Sequence, residues 1–86
     1  MVSKTDLTSS INPRQMPKTL ADIPVGSTVK ILKVNFETQY LGAMGIAQGN
    51  DLTLLRKFPW GGPYHIETCG GYFAIGSEVA KAILVN

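Results

Sequence analysis

The stretch Tyr40-Leu41-Gly42-Ala43-Met44-Gly45-Ile46-Ala47-Gln48-Gly49 decides how this chain folds. Leu41 and Met44 are three residues apart and Tyr40 and Met44 four apart, so all three fall on neighbouring parts of one helical face. Gly45 stands where a helix ends in the left-handed conformation, and Ile46 supplies the apolar contact that accompanies such a cap. After Gly49 the pattern changes. Asp51-Leu52-Thr53-Leu54-Leu55-Arg56-Lys57-Phe58 begins with the apolar–polar alternation of a strand. The spacing predicts a short helix tucked against a small sheet.

Moving outward towards the N-terminus, residues 27–35 are rich in β-branched side chains and read as a strand. Val29 and Ile31 share one face while Leu32 and Val34 follow the other register, which predicts a bulge near Leu32. Before it, residues 19–26 form a turn-like entry with Leu20 and Ile23 pointing inward and Pro24 stopping any helix. The residues ahead of it are rich in Ser, Thr, Asn and Pro and have no periodicity. Residues 1–18 are therefore expected to be a flexible tail and residues 19–86 the folded domain.

Towards the C-terminus, Pro59-Trp60-Gly61-Gly62-Pro63 separates the strand at 51–58 from a second one at 64–69, the pattern of a hairpin. Gly70-Gly71 makes another turn and residues 72–75 a further strand. Ser77 is the expected N-cap of a brief helix over 78–82, and residues 83–85 close the sheet. Five short strands joined by tight turns bury their apolar faces most economically by curling. The fold class is all-β, a small five-stranded barrel with one or two short helices.

Composition bounds what such a domain can do. A chain of 86 residues, 44% hydrophobic, with 9 glycines and 5 prolines, holds one turn-rich core and no second domain. The sequence has no apolar run long enough to span a bilayer and no signal-peptide segment at its polar start, and with a single cysteine, Cys69, the expected location is the cytoplasm. The net charge of +2 comes from Lys4, Arg14 and Lys18 against Asp6, while five basic and five acidic residues balance over the remainder. Only Lys30, Lys33, Arg56 and Lys57 are candidates for the basic face that nucleic-acid binding needs, and in a neutral domain no nucleic-acid partner is expected.

No phosphate-binding loop and no Ser, His and acid in a nucleophile motif are present, so no catalytic residue and no cofactor is assigned. One set of metal-ligand types stands out. His65, Glu67 and Cys69 alternate along one predicted strand and project to one face. Same-face neighbours lie roughly 6.5–7 Å apart along a strand, whereas ligands must come within about 2.0–2.3 Å of one ion. The set therefore needs distortion or an outside ligand. Three residues are candidates for partner binding: Trp60, Tyr40 and Met44. Trp60, at a turn tip, either folds back over the barrel mouth or anchors a partner or a second copy. Tyr40 and Met44 have core-packing spacing, with Tyr40 near enough to the helix start to face outward.

Taken together, Leu20 with Pro24-Val25-Gly26, then Leu41-Gly42-Ala43-Met44-Gly45-Ile46 and Gly49, then Pro59 and Pro63, and finally Ala82-Ile83-Leu84-Val85, make the chain resemble the FeoA family over residues 19–86. That resemblance implies an SH3-like barrel and a non-enzymatic accessory or regulatory protein of ferrous iron uptake. It also implies a partner, the cytosolic GTPase-containing part of the membrane transporter FeoB. The same domain type is similar to the C-terminal module of DtxR-type repressors. The alternative readings are thus a metal-ion-binding sensor or carrier, or a regulatory interaction domain of that repressor kind. Departures from the family pattern are Tyr40 in place of an arginine, Gln48 in place of a proline, Gly62 in place of an acidic residue and Ile75-Gly76 in place of Leu-Arg. They leave the scaffold residues in place and make the surface this chain's own.

Overall fold

The computed structural model describes residues 18–36 and 39–86; the expected tail lies outside the described residues, apart from its last member, Lys18. The chain order is β1 (Lys18–Thr19), a 3-10 turn (Leu20–Asp22), β2 (Thr28–Val34), α1 (Tyr40–Ala43), β3 (Asp51–Lys57), β4 (Tyr64–Thr68), β5 (Gly71–Ile75), α2 (Ser77–Ala82) and β6 (Ile83–Val85). The strands form one antiparallel sheet in the order β1-β6-β2-β3-β4-β5. All five expected strands are present. The sixth, β1, is two residues long and pairs Lys18 with Val85 and Thr19 with Leu84, too short to show any periodicity in sequence.

β2 is the strand that lets so short a sheet curl. Its first half, Thr28 to Lys30, pairs with β3, and its second half, Ile31 to Val34, pairs with β6. The register slips between Ile31 and Lys33, so the bulge falls at Leu32 as the adjacent apolar pair predicts. A second slip, between Leu54 and Arg56, puts Leu55 in a bulge of β3.

The curled sheet encloses one core. Ile31 from β2, Leu52 and Leu54 from β3, Ile66 from β4 and Ile83 and Val85 from β6 are all buried, together with Leu20, Ile23, Leu41 and Ile46 from the connections. Each such side chain contributes roughly 1.5–3 kcal/mol on burial. The entry turn is fixed by a capping box: Ala21 N–H donates to Thr19 Oγ1 (3.2 Å) and Thr19 N–H to Asp22 Oδ2 (2.9 Å). Lys57 Nζ donates to the Ala21 carbonyl (3.0 Å), tying that turn to β3. At α2 the cap differs from expectation by one residue. Gly76, in extended conformation and without a side-chain bond, is the N-cap, and Ser77 lies inside the helix.

Candidate functional site

The helical motif is held by its end. Four residues cannot stabilise a helix in water, and α1 depends on the bonds that close it. Ile46 N–H donates to the Leu41 carbonyl (2.8 Å) and Gly45 N–H to the Gly42 carbonyl (3.0 Å), with Gly45 at φ 83°: a Schellman cap. Leu41 and Ile46 are both buried in the core, the apolar contact that completes the motif.

This cap docks on the β4–β5 turn at close quarters. The Thr68 hydroxyl donates to the Met44 carbonyl and accepts from Gly70 N–H (3.0 Å), and Asn50 Nδ2 donates to the Gly45 carbonyl (3.0 Å). A Cβ on Gly70 would stand 2.8 Å from the Met44 oxygen, so the approach requires glycine there. The helix is thereby fixed with Leu41 inward and Tyr40 outward, 79% exposed. Met44 is half-buried and packs against the core. Of the two readings of this face, core packing holds for Met44 and outward display for Tyr40.

At the opposite end of the hairpin, the β3–β4 loop displays Trp60, 91% exposed. The ring does not fold back over the barrel mouth. Its base is organised by Phe58, whose ring meets His65 edge-on at 5.3 Å and carries the Arg56 guanidinium 5.9 Å from its centre. Gly62 allows this, because a Cβ at that position would lie 2.8 Å from Phe58 Cβ. Thr68, against which α1 packs, and Tyr64, where the Trp60 loop enters β4, are the two ends of one strand, about 13 Å apart. Tyr40 and Trp60 therefore belong to two separate patches.

The metal-ligand types are not brought together. His65 and Glu67 share the outer face of β4, but Cys69 has left the strand for the turn, where its sulfur lies 3.8 Å from Asn50 Nδ2 beside the helix cap. His65 lines one depression with Leu55 and Tyr72, whereas Glu67 and Cys69 line another with Asn50 and Asp51. Among the described residues no three His, Cys, Asp or Glu side chains are grouped to hold an ion. Asp51 is instead paired with Lys30 (3.3 Å) on the surface.

One feature escapes the sequence reading. Leu55, His65, Ile66, Tyr72, Phe73 and Ala74 line a groove of about 370 Å³ on the outside of β3–β4–β5, and Tyr72 beside it is 72% exposed. The signal was the pair Leu54-Leu55, which breaks alternation as Ile31-Leu32 does and pushes Leu55 outward through the second bulge.

A curled six-stranded antiparallel sheet with two short helices is an SH3-like domain. The FeoA domain model matches residues 18–86, and the chain belongs to the FeoA family, whose members are accessory factors linked to ferrous iron transport. Comparison with curated proteins gives no match. Among solved structures, the chain is similar to an iron uptake regulatory protein (FeoA), at 28% identity over 83% of this chain and 96% of that one, TM-score 0.73. It is also similar to Stenotrophomonas maltophilia FeoA complexed with zinc, described as an SH3 domain protein, at 21% identity over 80% and 89% of the two chains, TM-score 0.67. A manganese-dependent transcriptional repressor shares the fold at 21% identity over 81% of this chain but only 42% of its own, TM-score 0.71.

Proposed function

We propose that this protein is a non-enzymatic accessory factor of ferrous iron uptake, working in the cytoplasm by docking on the cytosolic GTPase-containing part of the FeoB transporter, with residues 19–86 as the docking domain. The observation that carries this reading is Trp60: a large aromatic ring, 91% exposed, on a loop whose base is packed by Phe58 and His65. Aromatic anchors on preorganised loops dominate interface energetics, and burying one on a partner recovers apolar area left exposed in the free protein. Tyr40 is the second contact, and Met44 supports the helix that presents it. No helix among the described residues is long and apolar enough to cross a membrane, so the transporter supplies the membrane location in this scheme.

Trp60 is the only tryptophan, which makes it both the predicted anchor and the reporter. Titrating the isolated cytosolic domain of the transporter into this protein should shift the tryptophan emission to the blue as the ring leaves water. Calorimetry should show micromolar binding that Trp60→Ala weakens by about 30-fold, a hot-spot loss of about 2 kcal/mol. Unchanged emission and no heat at tens of micromolar would overturn direct docking.

A further inference from the structure

Among the described residues, the sheet order leaves β5 with β4 on one side and no strand on the other. The two-residue turn Cys69-Gly70 makes Thr68 and Gly71 a mutually hydrogen-bonded pair. Antiparallel pairs alternate, so Phe73 and Ile75 also bond to β4, while the backbone N–H and C=O groups of Tyr72 and Ala74 point to the open side. No described residue satisfies those groups. Sheets normally protect such an edge with charge, proline or a bulge. Gly71-Tyr72-Phe73-Ala74-Ile75 has none of these, and its pairing with β4 runs without a register shift.

We propose that β5 pairs antiparallel with β5 of a second copy of this chain, about a twofold axis at Phe73, to form one continuous sheet across a dimer. In this register Tyr72 of each copy lies opposite Ala74 of the other. Both residues present their outward backbone groups, so each such pair exchanges both hydrogen bonds.

Three features select a second copy as the occupant. The first is size. Tyr72 is large and exposed, and Ala74 is small and sits on the wall of the 370 Å³ groove, so each ring is laid over the low point of the other copy's edge. The second is charge. Cross-strand pairing puts Thr53, Glu67 and Tyr72 in one row of the outer face and Arg56, His65 and Ala74 in the next. The twofold axis aligns the first row of one copy with the second row of the other, so no like charges face each other across the seam, while Glu67 and the other copy's His65, about 14 Å apart, are too far for strong attraction. The third is closure: a twofold pairing uses the β5 edge of each copy on the other's, so this contact does not propagate beyond two.

The interface is small, one five-residue strand from each side, below the size of stable complexes. Sedimentation equilibrium on the full chain from about 10 μM to about 1 mM should therefore show a monomer–dimer transition within that range. The amides of Tyr72 and Ala74 should gain exchange protection as concentration rises. Ala74→Pro removes an outward N–H that β4 does not use, and it should retain the native melting transition while weakening dimerisation at least about tenfold. Tyr72→Lys, which adds a charge to the edge without touching the backbone, should act in the same direction and decides the matter where the proline variant does not fold. A monomer throughout the range, or a folded Tyr72→Lys that dimerises like the parent, would overturn the proposal.

Discussion

Gly45 answers to two constraints, of which Gly49 shares only the first. Both have positive φ, 83° and 90°, a region that costs an L side chain about 1–2 kcal/mol. At Gly49 a Cβ would meet nothing, whereas at Gly45 it would stand 2.8 Å from Thr68 Oγ1 and 2.9 Å from Gly70 N. Backbone cannot swing away as a flexible side chain does, so a steric cost adds to the conformational one. Gly49→Ala should then lose about 1–2 kcal/mol in denaturant unfolding, and Gly45→Ala more than about 3 kcal/mol. Equal losses would mean that the junction between the helix cap and the β4–β5 turn yields freely. The same accounting explains a family departure at Gly62. With Phe58 Cβ occupying the space a side chain would need, no acidic residue fits there while the Phe58 ring stays packed on His65.

At the scale of elements, the bulges separate what could be read in the sequence from what could not. Adjacent apolar residues interrupt the two-residue period, and Ile31-Leu32 announces its bulge in that way. Leu54-Leu55 carries the same sign, yet the alternation around it is strong enough to suggest a regular strand, and the groove it borders went unread with it. The α1 cap was legible because a left-handed glycine followed by an apolar residue is a local motif. The N-cap of α2 was not, because Gly76 and Ser77 are both common caps and the choice depends on how β5 hands the chain to the helix. β1 was invisible for another reason: it is a strand only because β6 lies beside it. Trp60 was identifiable as exposed or folded back, but choosing between the two needed the packing of Phe58 beneath the loop. The bulge at Leu32 also yields a test. Lys33 already pairs with Leu84 and Val34 with Ile83, so deleting Leu32 heals the ladder without moving a buried residue to the wrong face. Deleting Lys30 instead forces either Val29 off its pairing with Leu52 or Ile31 off its pairing with Val85. Thermal unfolding should show a loss of about 1–2 kcal/mol for the Leu32 deletion and no cooperative transition for the Lys30 deletion.

For the whole molecule, the arrangement of the two aromatic patches constrains how a partner sits. Tyr40 and Trp60 project near opposite ends of β4, about 13 Å of strand apart, and the groove beside Tyr72 and Leu55 lies on the outer face between those ends. A partner that meets both residues must span the hairpin lengthwise. Independent sites more than about 7–10 Å apart add within roughly 0.5 kcal/mol. If the transporter's cytosolic domain lies along the hairpin, Trp60→Ala should cost about 2 kcal/mol, Tyr40→Ala about 1 kcal/mol, and the double variant their sum. Calorimetry on the two single variants and the double closes this cycle. A loss confined to Trp60→Ala would restrict the docking face to the loop end and leave α1 a structural brace whose tyrosine serves another contact. A coupling energy well above 0.5 kcal/mol would mean that the partner, or a rearrangement of the hairpin on binding, brings the two ends into one pocket.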